Sequence, residues 1–361
     1  MRLVSQFGID FGTVNASLPT VVVGRVLHID ADFCSYHGTL SDEDGVYPTA
    51  DESIERMVIQ GDTLRALAAA ESMCFHFTHP DSPKAGRYDA AIQQAYQDNR
   101  VVDESTLSGE QLITYLDRKK HKEYVKQARI CFHKRYNTVT KYYEHPISCH
   151  METELEADDS ITIAMYADKD SVIWSPDKDL RMGSGKHLVE GDYYIKEVNG
   201  FGGCYLKDGP SGKENKGYGT CWFWHQMLQG DGADNIKGCA KLSKVINDRE
   251  FPNKQLLDAY ERIKVGRKLT KANQTALDRG PANCGHVTTH ELLKDCKTDM
   301  QCLTVVAECY QTYYGDAWYS EYKDKTYHWS EIFYESAKLL WMMRTRDDTV
   351  QQFINEVKNN D

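Results

Sequence analysis

The chain lacks any run approaching the roughly 20 uninterrupted apolar residues that a membrane-spanning helix needs. Its start, Met1 to Ser5, carries no basic region followed by a long apolar stretch. We therefore expect a cytoplasmic protein with no membrane association. It also lacks the tight CxxC pairs that build zinc ribbons or thioredoxin-like sites. Its eleven cysteines are an odd number scattered from Cys34 to Cys309, so reduced, mostly buried thiols are expected. Positive charge is in deficit: 43 Lys and Arg stand against 54 Asp and Glu, a net charge of −11. That balance excludes a general nucleic-acid coating protein, whose phosphate contacts need the opposite sign. No internal repeat is present.

What is there is enough for a folded globular chain: 361 residues, 41% hydrophobic and 11% aromatic, can fill a core and form one large domain or two ordinary ones. Residues 1–24 have no clear periodicity and read as an N-terminal extension. Within them, Gly8 to Asn15 resembles the first phosphate loop of the actin and heat-shock ATPase family. No second loop or adenosine segment follows, so nucleotide binding is not expected. Val21 to Ile29 is a β-branched run ending in Asp30-Ala31-Asp32, a buried strand that delivers carboxylates at its C-terminal end. Asp51 to Ala70 has helical spacing, and Ser72 to Thr78 reads as a second strand, completing a β-α-β start. A polar helical stretch to Arg100 and a long helix from Ser108 to Tyr136 follow. Glu156 to Tyr166 reads as a helix, Ser171 to Ser175 as a strand, and Gly200 to Gly219 as a glycine-dense loop. Beyond Cys221 the pattern is mainly helical. The expected organisation is an α/β core over 25–220 and a helical region over 221–361.

Four separated segments end in carboxylates: Asp30-Ala31-Asp32, Glu154 to Asp159, Asp177-Lys178-Asp179, and Asp231 with Asp234. Any one of them alone reads as caps and solvated turns. Together, two follow strands and one opens a helix, so one sheet edge can collect them. Many carboxylates suit a hard cation such as Mg²⁺, which takes oxygen ligands and can activate a water beside a scissile phosphate.

In this order the segments resemble the 5′ nuclease superfamily of flap endonucleases and 5′ to 3′ exonucleases, particularly its bacteriophage exonuclease branch, over Val26 to Leu242. The residues that carry the resemblance are Asp30 after the first strand, the Glu156-Ala157-Asp158-Asp159 helix start, Asp177-Lys178-Asp179-Leu180, and Gly230-Asp231 with Asp234-Asn235. It implies a PIN-like α/β core with a mainly parallel sheet flanked by helices, then a helical helix-hairpin-helix-type DNA-binding part. It implies metal ligands in two groups, Asp30, Glu156 and Asp158 on the attacking side and Asp159, Asp177, Asp179, Asp231 and Asp234 on the other, with Mg²⁺ bound and Mn²⁺ able to replace it. It further implies an acid after the second strand, where either His79 or Asp81 aligns and Asp81 is preferred. The family's basic gateway appears as Tyr96 to Arg100 without its lysine, so Arg100 remains while Lys84 or Arg87 stands in. Asp30, Asp158, Asp179, Arg100 and Lys84 are the implied catalytic set. The substrate is expected to be DNA with free 5′ ends or flaps, acted on by a monomer. The phage branch implies the cytoplasm of an infected bacterium.

Between Lys119 and Lys141 lie six further basic residues against the single acid Glu123. Lys119, Lys122, Lys126 and Arg129 share one helix face, with Leu112, Leu116, Tyr124 and Ala128 on another. In the family this region, about 80–140, forms an arch that holds single-stranded DNA, for which a one-sided basic helix is suited. Lys237 and Lys241 flank Gly238 where relatives bind duplex backbone and a monovalent cation; the second Gly-x-Gly turn is absent. Cys284, His286, His290 and Cys296 match no common zinc spacing and are read as packing. The aromatic tail from Tyr310 to Tyr334 is read as a core seam rather than a base-stacking surface. The alternatives to a DNA nuclease are an RNase H-like enzyme on RNA/DNA hybrids and a non-catalytic structure-specific DNA-binding protein.

Overall fold

The computed structural model describes residues 19–239, 245–246, 249–250, 258–259, 262–263, 265–279 and 284–360, apart from 101, 190, 192 and 211. The ATPase-like loop at 8–15 and Lys241 lie outside the described residues. The chain divides into two compact units. The first comprises the residues through Ala85, Val102–Asn199 and Met342–Asp347; the second comprises Gly86–Val101, Gly200–Trp341 and Asp348–Asp361.

The first unit is built on a seven-stranded sheet in the order β3-β4-β2-β1-β5-β6-β7. Its strands are β1 (Val22–Asp30), β2 (Ala70–Thr78), β3 (Thr140–Tyr142), β4 (His145–Glu152), β5 (Val172–Trp174), β6 (Gly185–Val189) and β7 (Tyr194–Val198). Pairing is parallel for β1 with β2 and β5, β2 with β4, and β5 with β6; only the two edge pairs are antiparallel. Period-two alternation sorts the side chains. Leu27 and Ile29, Met73, Phe75 and Phe77, Ile147 and Cys149, and Val172 and Trp174 share one face. There they bury against Ile54, Met57, Val58 and Leu64 of α2 (Ala50–Leu67) and Phe132 of α4 (Gly109–Tyr136). The opposite face carries Ile173, covered by Ile161 and Met165 of α5 (Ala157–Ala167). On that face His28 and His76 bond through Nδ1 and Nε2 at 2.9 Å, and His76 Nδ1 meets Ser160 Oγ at 2.8 Å.

Helix α2 starts at a capping box in which Thr49 and Glu52 satisfy each other's amides. Midway, Gly61 lies against the sheet, where a Cβ would sit 2.3 Å from Phe75 Cζ and 3.1 Å from Ile29 Cδ1. Replacing Gly61 by Ala gains roughly 1 kcal/mol of helix propensity but forces an overpacked core costing about 1–3 kcal/mol. We expect a net loss of stability in urea denaturation; a stabilised variant would show that the helix stands further from the sheet than these distances place it.

In the second unit the glycine-dense segment is not a loop. It pairs as an antiparallel hairpin of β8 (Gly203–Gly209) and β9 (Gly212–Tyr218), in continuous register from Gly203 opposite Tyr218 to Gly209 opposite Gly212. The helix α6 (Thr220–Gln229) is buried from Cys221 through Leu228. The helices His286–Leu293, Asp299–Tyr314, Trp329–Leu340 and Val350–Asn359 belong to the same unit. Trp224 Nε1 donates to Asp299 at 2.8 Å, Tyr310 donates to the Met227 carbonyl at 2.8 Å, and Trp341 stacks on Phe353 with ring centroids 4.5 Å apart. The core reading of the aromatic tail therefore holds for Tyr310, Tyr314 and Phe333, while Tyr319 and Tyr322 are exposed.

The polar stretch before Arg100 is not the helix its composition suggested. It has one turn, α3 (Arg87–Ala90), and a 3₁₀ turn at Asp98–Arg100, interrupted by left-handed backbone at Gln97. Its amides bond outward instead. Those of Ile92 and Gln93 donate to the buried Glu335 carboxylate, whose pKa is raised to about 7 chiefly by burial. Among the described residues, no helix is long and apolar enough to cross a membrane.

Candidate metal centre at the C-terminal edge of the sheet

Parallel strands deliver the segments after them to one edge. From adjacent β1 and β5 the sheet continues in opposite directions, to β2 and to β6, which is the switch-point arrangement where α/β sheets open a crevice. Asp30 ends β1 and caps α1 (Ala31–Gly38), accepting from the Phe33 amide at 3.2 Å; its other oxygen accepts from Ser175 Oγ, just past β5, at 2.7 Å. Asp32, in the first turn of α1, accepts from the Thr78 amide at the end of β2 at 3.1 Å and pairs with Arg129 of α4 at 3.0 Å. After β4, Glu156 caps α5 and pairs with Lys84 at 2.9 Å. Asp158 lies in the first turn of the same helix. After β5, the Asp177 amide donates to Ser175 Oγ, and its carboxylate accepts from the Asp179 amide, both at 2.9 Å.

Electrostatics show that these groups crowd one another. Asp158 is held well above the ordinary carboxylate range, first by removal from water and then by the charges of Asp30, Asp177, Glu156 and Asp32. Asp30 is raised from 3.8 to about 7, again by burial first and then by Asp32, with the Ser175 and Phe33 hydrogen bonds pulling the other way. Like charges gathered at low dielectric do not all ionise unless a cation joins them.

The first unit thus brings together Asp30, Glu156, Asp158 and Asp177 of the expected ligands, with Lys84 beside them. Asp32 belongs to the same group and was not among the expected ligands; its position two residues past Asp30 was the available signal. Ser175 and Arg129 orient the carboxylates, and nothing local in the sequence marks them for that. Asp179 is buried at the start of the turn Asp179–Met182, with Lys178 Nζ 3.9 Å away. Asp159 takes a different place: fully buried, it accepts from the amides of Met343 at 3.2 Å and Glu156 at 3.4 Å, which makes it a capping residue. Asp81 is exposed, 3.9 Å from His79.

Asp231 and Asp234 lie in the second unit, in a tight turn between Gly230–Asp231 and the antiparallel Ile236–Lys237. Asp231 accepts from the Ala233 amide at 2.9 Å. Asp234 accepts from Tyr96 at 3.1 Å, from Gln97 at 2.8 Å and from Arg100, so the gateway segment clamps this turn. Two basic residues depart from their expected roles. Arg87 is buried and donates to the Trp341 carbonyl at 2.8 Å, which removes it as a phosphate contact. Arg129 faces Asp32 and Ser35 rather than solvent. The buried face of α4 is His121, Val125, Ala128 and Phe132, whereas Leu116 is exposed. Lys119, Lys122 and Lys126 are exposed, with Lys119 paired to Glu104 at 2.8 Å, and Lys237 is also exposed.

No family model matches the chain, and no curated protein matches it. Among solved structures it is similar to a bacteriophage T5 protein crystallised with metal ions, at 11% identity and TM-score 0.42 over 93% of this chain and 98% of that one. The same values hold for a bacteriophage T5 flap endonuclease variant in a complex with DNA and metal ions. A T5 5′-exonuclease mutant gives TM-score 0.34 at 11% identity, over 88% of this chain and 99% of that one.

Proposed function

We propose that this chain is a divalent-metal-dependent nuclease of the 5′ to 3′ exonuclease and flap endonuclease kind, hydrolysing DNA phosphodiesters near 5′ ends. The observation that carries the reading is the group of five carboxylates, Asp30, Asp32, Glu156, Asp158 and Asp177, at the C-terminal edge of the sheet. The donor set is all oxygen, partly exposed, and short of positive charge, which fits Mg²⁺ or Mn²⁺ better than a soft metal. When bound, such an ion would lower the pKa of a coordinated water and offset charge on the scissile phosphate. The residues themselves do the positioning. Ser175 fixes Asp30, the Thr78 amide and Arg129 fix Asp32, and Lys84 brings a cation to Glu156 where a phosphate oxygen would gather charge.

The exposed lysines of α4 support a nucleic-acid substrate, since Lys122 and Lys126 are exposed point charges on one helix of an otherwise acidic chain. Replacing Lys122 and Lys126 by Ala is expected to weaken DNA binding at every sequence and lower the salt slope by about 1 per lysine removed. An unchanged slope in a fluorescence-anisotropy titration would take α4 out of the interface. The function itself is tested by incubating 5′-labelled flap, duplex and RNA/DNA hybrid substrates with Mg²⁺ or EDTA. Mg²⁺-dependent products from the DNA substrates are expected, with lengths that separate end trimming from cutting at a branch. Preferred cleavage of the hybrid moves the substrate assignment to RNA, and binding without cleavage replaces the enzyme by a binding protein.

A further inference from the structure

A second cluster of metal-binding side chains lies in the second unit and has no part in the carboxylate chemistry. Cys204 is on β8, and Cys221 and His225 are four residues apart on one face of α6. Ligand atoms of the three lie within 4.8 Å of one another. We propose that Cys204, Cys221 and His225 form a zinc site.

Buried cysteines commonly pack as small hydrophobes, so the case rests on what converges here. Room for the Cys204 sulfur is made by its cross-strand partner: Gly217 stands opposite, and a Cβ there would lie 2.3 Å from Cys204 Sγ. The thiol protons of Cys204 and Cys221 take part in a hydrogen bond between the two. Binding zinc would release those protons to solvent as thiolates form.

The layer behind the ring fits as well. The Asn215 amide nitrogen lies 2.6 Å from His225 Nδ1, and the buried Asn215 Oδ1 has no hydrogen-bond partner. Turning the amide over gives up a 3.3 Å contact with the His286 carbonyl and presents Oδ1 to an Nδ1–H. That tautomer leaves Nε2 available to a metal, the second-layer arrangement usual for zinc-bound histidine. Two sulfur donors and one imidazole in a mostly buried setting select zinc over the hard cations of the carboxylate edge.

The test uses the full chain, purified with zinc in the growth medium and passed through a desalting column. Elemental analysis is expected to find about one equivalent of zinc per chain, kept by Asp158→Asn and Cys131→Ser and reduced about tenfold or more by Cys221→Ser. Cobalt in place of zinc is expected to give thiolate-to-metal charge-transfer absorption that Cys204→Ser weakens. Should Cys221→Ser fail to fold, wild type stripped of zinc and reloaded gives the same information through its melting temperature, which zinc is expected to raise. A chain that carries no zinc and melts identically with or without it overturns the proposal. So does a Cys204–Cys221 disulfide in peptide mapping, or zinc lost from Asp158→Asn instead of Cys221→Ser.

Discussion

Asp158→Asn is expected to lower Mg²⁺-dependent cleavage by on the order of 10²–10³-fold while leaving the fold intact. The reason is its position rather than its charge alone. Asp158 feels Asp30, Asp177, Glu156 and Asp32, segments that follow three different strands, so it sits where the carboxylate groups meet. Asparagine keeps the shape and one oxygen donor but removes a negative charge that a divalent ion would balance. Binding of uncleaved flap is expected to change little, because the exposed lysines of α4 are untouched. Circular dichroism and substrate binding separate this outcome from misfolding. Near-wild-type cleavage by a well-folded variant would move the reaction away from this edge of the sheet.

The same crowding predicts how stability varies with pH in the metal-free chain. The Asp30 carboxyl ionises near 7 when folded and near 3.8 as a free side chain, so between those values the native chain holds more protons than the unfolded one. Stability from this group is therefore fully present below about pH 4 and is lost as pH rises through 7, at up to ~1.4 kcal/mol per pH unit. Asp158 acts in the same direction. The partly buried His28 opposes it between about 4 and 6.5, because its pKa is lowered, chiefly by loss of solvent, and its neutral form is the folded one. The difference between Asp30→Asn and wild type isolates the carboxylate. With EDTA at pH 8, the variant is expected to be the more stable by about 1–3 kcal/mol in urea melts, allowing for the hydrogen bond to Ser175 it weakens. The gap is expected to close toward pH 4, and Mg²⁺ is expected to close it by stabilising wild type alone. A variant less stable than wild type at every pH would mean that the carboxylates are held apart in solution.

Local spacing was informative wherever a short-range rule decides the outcome. The β-branched run before Asp30 is β1, because alternating side chains on a strand need only their own sequence to sort into two faces. The long helix ending at Tyr136 and the acidic opening of α5 follow from helical periodicity and capping. The meeting of three acidic segments at one edge followed from parallel strands ending together. The hairpin over 203–218 was missed because glycines and alternating charges suit a turn-rich loop equally well; only the cross-strand register settles it.

The α/β pattern and the supply of carboxylates were thus legible in the chain before any folding, because both obey rules that act over a few residues. Which side chains face one another was settled only when the elements packed. Arg129 reads as one more basic residue on a helix until α4 packs beside α1 and aims it at Asp32. Arg87 and Asp159 read as surface or ligand groups until packing buries them. Cys204 and Cys221 are ordinary cysteines on separate elements until α6 packs against β8 and lays one sulfur beside the other. Such pairings depend on where distant segments dock, and docking is governed by the fit of whole buried faces, which no short stretch of residues encodes.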